Sequence, residues 1–82
     1  MAKLNVSIKS IKKNLYDGLA DIVVMRTVNG DVGIMANHIP FMTALKNSNV
    51  KIKNDENEFV FSIDDGIAKV FDNTLTIINF GG

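Results

Sequence analysis

The chain has 82 residues, 46% of them hydrophobic and 22% charged, and its nine basic side chains are balanced by nine acidic ones. That length holds one small domain, the composition excludes a disordered chain, and the cancelled charge excludes a nucleic-acid binder that works by displacing counterions. With no cysteine and one histidine there is no disulfide frame, thiol nucleophile or His-rich metal site, so no catalytic residue, metal ligand or cofactor site is assigned.

From the N-terminus, Met1 to Asn5 carry one positive charge and no apolar run of signal-peptide length, and nothing in the chain approaches the roughly 20 apolar residues of a membrane helix. Membrane contact is expected only through other proteins, without direct insertion. Leu4, Val6 and Ile8 alternate with Asn5, Ser7 and Lys9; this period of two marks a strand packed on one face. Lys9, Lys12 and Lys13 form a mild basic cluster, read as a solvated strand end. Asp17-Gly18 marks a turn or bulge. Ile22-Val23-Val24-Met25 is continuously apolar, as for a strand covered on both faces. Asn29-Gly30 is a strong hairpin signal because both residues accept positive φ.

Gly33 to Leu45 then breaks the alternation and carries the only Pro and the only His. Pro40 removes a backbone donor and pushes Ile39 to an extended conformation. A loop crossing between sheets is predicted here, with Thr43-Ala44-Leu45 resuming a strand. Alternation returns at Val50 and Ile52, at Phe59, Phe61 and Ile63, and at Leu75 and Ile77. Asn54-Asp55-Glu56-Asn57 is a polar hairpin tip, Asp65-Gly66 a turn or bulge, and Asp72-Asn73 a tight turn. The pattern ends near Asn79, which predicts one domain over residues 1–79 and a tail over 80–82. No window shows a sustained helical stripe. The fold class is all-β, an antiparallel sandwich or flattened barrel. A small domain without staples leans on a partner for stability, which favours a binding or assembly part over an enzyme.

Gly30-Asp31-Val32-Gly33-Ile34-Met35-Ala36-Asn37-His38-Ile39-Pro40-Phe41-Met42-Thr43-Ala44-Leu45 resembles the signature of the epsilon subunit of F-type ATP synthases. The strands around it follow in register from about Leu4 to Ile78. Three local departures are Ala36 in place of the family's usual Pro, Asn47-Ser48-Asn49 in place of a Pro-Gly turn, and Asp64-Asp65 in place of a Ser-Gly pair. Family members normally continue into a C-terminal helical hairpin; the sequence leaves open whether this chain is a short subunit or an isolated N-terminal domain. The resemblance implies an antiparallel β-sandwich of about ten short strands in the central stalk of the rotor. Its implied partners are the gamma subunit and the polar loops of the c-ring, and its implied role is coupling ion translocation to ATP synthesis, with the active sites in other chains. The implied location is peripheral, on the cytoplasmic side of a bacterial inner membrane.

Asp31, His38, Ile39, Pro40, Phe41 and Met42 are the candidate protein-interface residues. Asp31 reads either as a solvated hairpin carboxylate or, by resemblance, as a partner for Arg and Gln side chains of the c-ring loops. His38 reads as a hydrogen-bonded loop histidine or as a gamma contact; no nucleophile or carboxylate is fixed beside it for catalysis. Ile39 to Phe41 are placed at the gamma interface and Met42 is expected to be partly buried. Gly30 and Gly33 could suggest a phosphate loop, but no helix N-terminus follows to supply donors. Gly33 is instead expected at a position where a Cβ would clash. Asp64-Asp65 could suggest a cation site; a turn is the better account, since adjacent strand residues point to opposite faces. The alternative function is a free-standing β-sandwich ligand- or protein-binding module, with an enzyme ranked third.

Overall fold

The computed structural model describes residues 2–80. Its alternating segments form seven strands: β1 (Leu4–Ser10), β2 (Asn14–Ala20), β3 (Ile22–Thr27), β4 (Gly30–Met35), β5 (Phe41–Asn54), β6 (Asn57–Phe71) and β7 (Thr74–Asn79), with no helix among the described residues. They are hydrogen-bonded in the order β2-β1-β7-β6-β5-β3-β4. All neighbours are antiparallel except β1 and β7, which run parallel.

One continuous sheet becomes a sandwich because β5 and β6, of 14 and 15 residues, serve both layers. Their ladder is unbroken except at Asn47 and Asp64, which fall unpaired between Lys46↔Asp65 and Ser48↔Ile63. Asn47 sits there at φ 47°, a left-handed conformation that a short polar side chain accepts. On one side of this break, β6 pairs with β7, which continues to β1 and β2. On the other side, β5 pairs with β3, which carries β4. The inward phase of every strand closes on one core; Leu4, Ile8, Met25, Ile52 and Ile77 are at most 1% exposed.

The strand count is thus seven rather than ten. A strand that bends at a gap in its ladder needs no turn, so segments that look separate in sequence are halves of β5 and β6. Val24 is 38% exposed while Val23 and Met25 are buried, so β3 alternates and is covered on one face only. Asp17-Gly18 and Asp65-Gly66 lie inside strands as regularly paired residues rather than in a turn or bulge: Gly18 pairs with Val6, and Gly66 with both Leu45 and Asn79. The β3–β4 turn is Val28-Asn29, one residue earlier than expected, and Gly30 opens β4 at φ 117°. Thr27 holds it: its hydroxyl accepts from the Asn29 N–H at 3.0 Å and donates to the Gly30 carbonyl at 2.7 Å. Asp72 and Asn73 form the expected tight turn, with φ 50° and 57°. The crossing loop is shorter than expected, because β5 resumes at Phe41.

The two ends of the sandwich differ. At the upper end, Lys3 Nζ reaches Asn54 Oδ1 at 2.7 Å, Asp55 Oδ1 at 2.9 Å and Asp21 Oδ1 at 2.7 Å. This joins the start of β1 to the β2–β3 corner and the β5–β6 tip. At the lower end the Arg26 N–H donates to Ser48 Oγ at 3.1 Å and the Phe80 N–H to the Asp65 carbonyl at 2.7 Å. The β3–β4 turn, the β5–β6 bend and the end of β7 therefore gather there.

Candidate partner-docking site

Residues 36–40 cross from β4 to β5 at the upper end. Asn37 takes φ 64° and its N–H donates to Asn73 Oδ1 at 2.8 Å, while Asn73 Nδ2 donates to the Lys3 carbonyl at 2.8 Å. One turn asparagine thus ties the loop to the root of β1. The His38 N–H donates to the Met35 carbonyl at 3.3 Å. His38 Nδ1 lies 2.7 Å from the Ile39 carbonyl, an acceptor, so Nδ1 carries the proton. The ring meets Phe41 edge-on, with centroids 5.9 Å apart. Phe41 packs against the core. Ile39 is 73% and Met42 64% exposed, so Met42 stands outward and Phe41 inward, the reverse of the expected order. Pro40 stiffens the loop, and the hydrogen bonds of Asn37 and His38 together with the edge-on contact of His38 with Phe41 hold it.

Met42 continues onto the outer face of β5, β6 and β7. It pairs with Lys69; Ile67 pairs with Ile78, Lys69 with Thr76, and Phe71 with Thr74. Phe71 is 62% exposed. An open groove of about 560 Å³ runs between Ile67, Phe71, Thr74 and Ile78, and a smaller one of about 290 Å³ lies between Pro40, Met42 and Phe71. Lys69 and Thr76 lie between the Ile67–Ile78 and Phe71–Thr74 rows, so the face sets exposed apolar side chains around a polar pair, and exposed apolar side chains grouped in this way mark an interaction site. Sequence reasoning missed Ile67, Phe71 and Ile78. The available signal was apolar residues in both phases of β6 and β7, as in Val70-Phe71 and Ile77-Ile78.

Asp31 is elsewhere. It sits at the start of β4, at the lower end, exposed and 3.2 Å from Arg26 Nε. The structure brings His38 to Met42 together and separates them from Asp31 by the length of β4. Gly33 faces outward, and a Cβ there would meet only Ile22 Cδ1 at an ordinary 3.5 Å; the expected clash is absent because β4 is an edge strand. Among the described residues no three His, Cys, Asp or Glu side chains gather as metal ligands, and no helix is long and apolar enough to cross a membrane. What the site offers is exposed apolar area interleaved with polar side chains, a composition compatible with a recognition surface.

The family model described as the beta-sandwich domain of the ATP synthase delta/epsilon chain matches residues 3–79. The ATP synthase epsilon chain of Caulobacter vibrioides is 40% identical over 78 residues, covering 95% of this chain and 91% of that one. That of Brevibacillus brevis is 33% identical over 79 residues, covering 95% of this chain and 60% of the relative. Among solved structures, a chain of the Euglena gracilis mitochondrial ATP synthase (OSCP/F1/c-ring) has a TM-score of 0.88 at 17% identity, covering 96% of this chain and 51% of that chain. A chain of the Tetrahymena thermophila central stalk and c-ring has a TM-score of 0.78 at 20% identity, covering 96% and 64%. These two likenesses establish the shared sandwich fold. The chain spans nearly the whole of the Caulobacter relative and about 60% of the Brevibacillus one.

Proposed function

Because the chain belongs to the ATP synthase delta/epsilon family, as its beta-sandwich domain, we propose that it serves as a non-catalytic part of the rotor of an F-type ATP synthase, linking the gamma subunit to the c-ring and coupling ion translocation to ATP synthesis. The observation that carries this reading is the outward apolar face of Met42, Ile67, Phe71 and Ile78. A chain with that face in water loses the favourable burial that a partner supplies. Gamma is assigned to this face and to the adjoining His38–Pro40 loop. The c-ring loops are assigned to the opposite end, where Asp31 stands at the β3–β4 turn. Two surfaces at opposite ends suit a part that holds two partners at once. The location that follows is peripheral, on the cytoplasmic side of the inner membrane.

Addition of the chain to membranes depleted of their own epsilon subunit tests the reading. ATP-driven ion pumping per ATP hydrolysed should rise, and Phe71→Glu should abolish the rise. Failure of the chain to bind a gamma–c-ring subcomplex would overturn it.

A further inference from the structure

We propose that the segment of gamma covering the outer face of β5, β6 and β7 presents a carboxylate to Lys69. The partner is taken from the rotor reading, on which this rests; the charge the partner must carry is not.

The ladder places Lys69. Side chains two residues apart on a strand share a face, so Ile67 and Phe71 flank it along β6. Across the ladder it pairs with Met42 of β5 and Thr76 of β7. Apolar side chains thus stand on three sides of it and Thr76 on the fourth. Lys69 is exposed and lines both grooves of this face, so it stands where the two meet.

No carboxylate among the described residues answers it. The ion pairs there are made by Lys3, Arg26 and Lys51. Asp72 lies past Phe71, in the β6–β7 turn, and Asp65 lies past Ile67, opposite Lys46. Asp17 is three strands away, at the end of the row Lys69, Thr76, Ser7, Asp17. Lys9, which pairs with Ile78, adds a second cation to the same face.

In water an exposed ammonium is solvated and needs no partner. A protein surface that fills both grooves strips that water away, and a charge stranded among apolar side chains is costly. A carboxylate on the covering surface replaces the lost hydration with a charge-assisted hydrogen bond. Charge complementarity therefore selects an apolar surface with an acid at its centre. A second copy of this chain, docked about a two-fold axis through this face, would set Lys69 against Lys69, which disfavours self-pairing.

The test is calorimetric titration of purified gamma against the parent chain and its Lys69 variants. Phe71→Glu marks the face, and Lys51→Met, on the outer face of the other layer, is the control. Lys69→Met keeps the apolar stem and removes the charge. It should weaken binding more than ~10-fold, because it leaves the carboxylate of gamma covered and unpaired. Lys69→Glu should weaken it further, and Lys69→Arg should bind better than Lys69→Met. Lys51→Met should bind like the parent. All the Lys69 variants should melt within ~3 °C of the parent, since the side chain is exposed. Among carboxylate-to-amide substitutions in gamma, one should weaken binding to the parent chain without weakening it further for Lys69→Met.

A Lys69→Met variant that binds as tightly as the parent, or more tightly, while Phe71→Glu binds weakly overturns the proposal and leaves gamma on this face. So does a gamma in which no such carboxylate is found. Parent-like binding by Lys69→Met, Lys69→Glu and Phe71→Glu alike overturns the placement of gamma as well. A dimer of the chain in sedimentation, dissociated by Phe71→Glu, would overturn the proposal in favour of a second copy.

Discussion

Gly66 of β6 lies against the backbone carbonyl of Ile78 in β7 with no space for a side chain between them: a Cβ on Gly66 would overlap the Ile78 oxygen and stand 3.1 Å from Ile63 Cγ2. Gly66 is two residues past the break at Asp64, where β6 passes from one layer to the other. Glycine is required there by the close approach of two backbones.

Gly66→Ala should therefore cost several kcal/mol, enough to lower the melting midpoint by ~10 °C or more in a domain of this size, or to prevent folding. Gly33→Ala should stay within ~3 °C of the parent, since the nearest atom to its Cβ is a movable methyl at 3.5 Å. Thermal melts of the two variants decide the matter; equal losses would contradict the packing described.

Stability should depend on pH through the upper-end ion cluster. The hydrogen bond from Lys3, then the Asp55 N–H at 2.7 Å, hold the Asp21 carboxyl below its ordinary 3.8. The hydrogen bonds to Asp21 and then Asp55 hold Lys3 above its ordinary 10.5. Asp21 is depressed in the folded state, so its contribution is present above the ordinary carboxylate value and lost as pH falls through the folded one. Lys3 is raised, so its contribution is full below 10.5 and lost as pH rises through the folded value. Both partners are solvent-accessible, which keeps the effect small. Lys3→Met should lower the melting midpoint at pH ~7 by a few degrees and flatten its fall below pH ~4. An unchanged acid limb in that variant would remove the cluster from the account.

His38→Ala should leave the melting midpoint within ~3 °C while weakening gamma binding several-fold. The ring meets Phe41 edge-on and bonds the carbonyl of its own neighbour Ile39, so its loss loosens an exposed loop rather than the core. Calorimetric titration against purified gamma measures it. A large stability loss with unchanged affinity would assign His38 to the fold.

The two docking surfaces should respond differently to charge. Phe71→Glu buries a carboxylate under any partner on the outer face and should reduce gamma affinity more than ~10-fold without unfolding the chain. Asp31→Asn removes one exposed rim charge and should change c-ring capture by no more than ~3-fold, with a weaker salt dependence. A Phe71→Glu variant that binds gamma normally would place gamma elsewhere.

The all-β class, the tight turn at Asp72-Asn73 and the run from Gly30 to Leu45 that marks the family were legible in consecutive residues. These are local properties: period-two alternation, residues that accept positive φ, and one proline are written in consecutive positions. The remaining features depend on contacts between positions far apart in the chain. That β5 and β6 each span both layers depends on the unpaired Asn47 and Asp64 meeting across the ladder, a pairing of positions far apart in the chain. That Gly66 and not Gly33 is the glycine without room depends on which strand is flanked on both sides. The apolar side chains of Met42, Ile67, Phe71 and Ile78 share one face only once three strands are in register, and a separate pairing, β4 on β3, places Asp31 at the lower end. Alternation assigns side chains to two faces of a strand; which face meets water is set by what packs against the sheet.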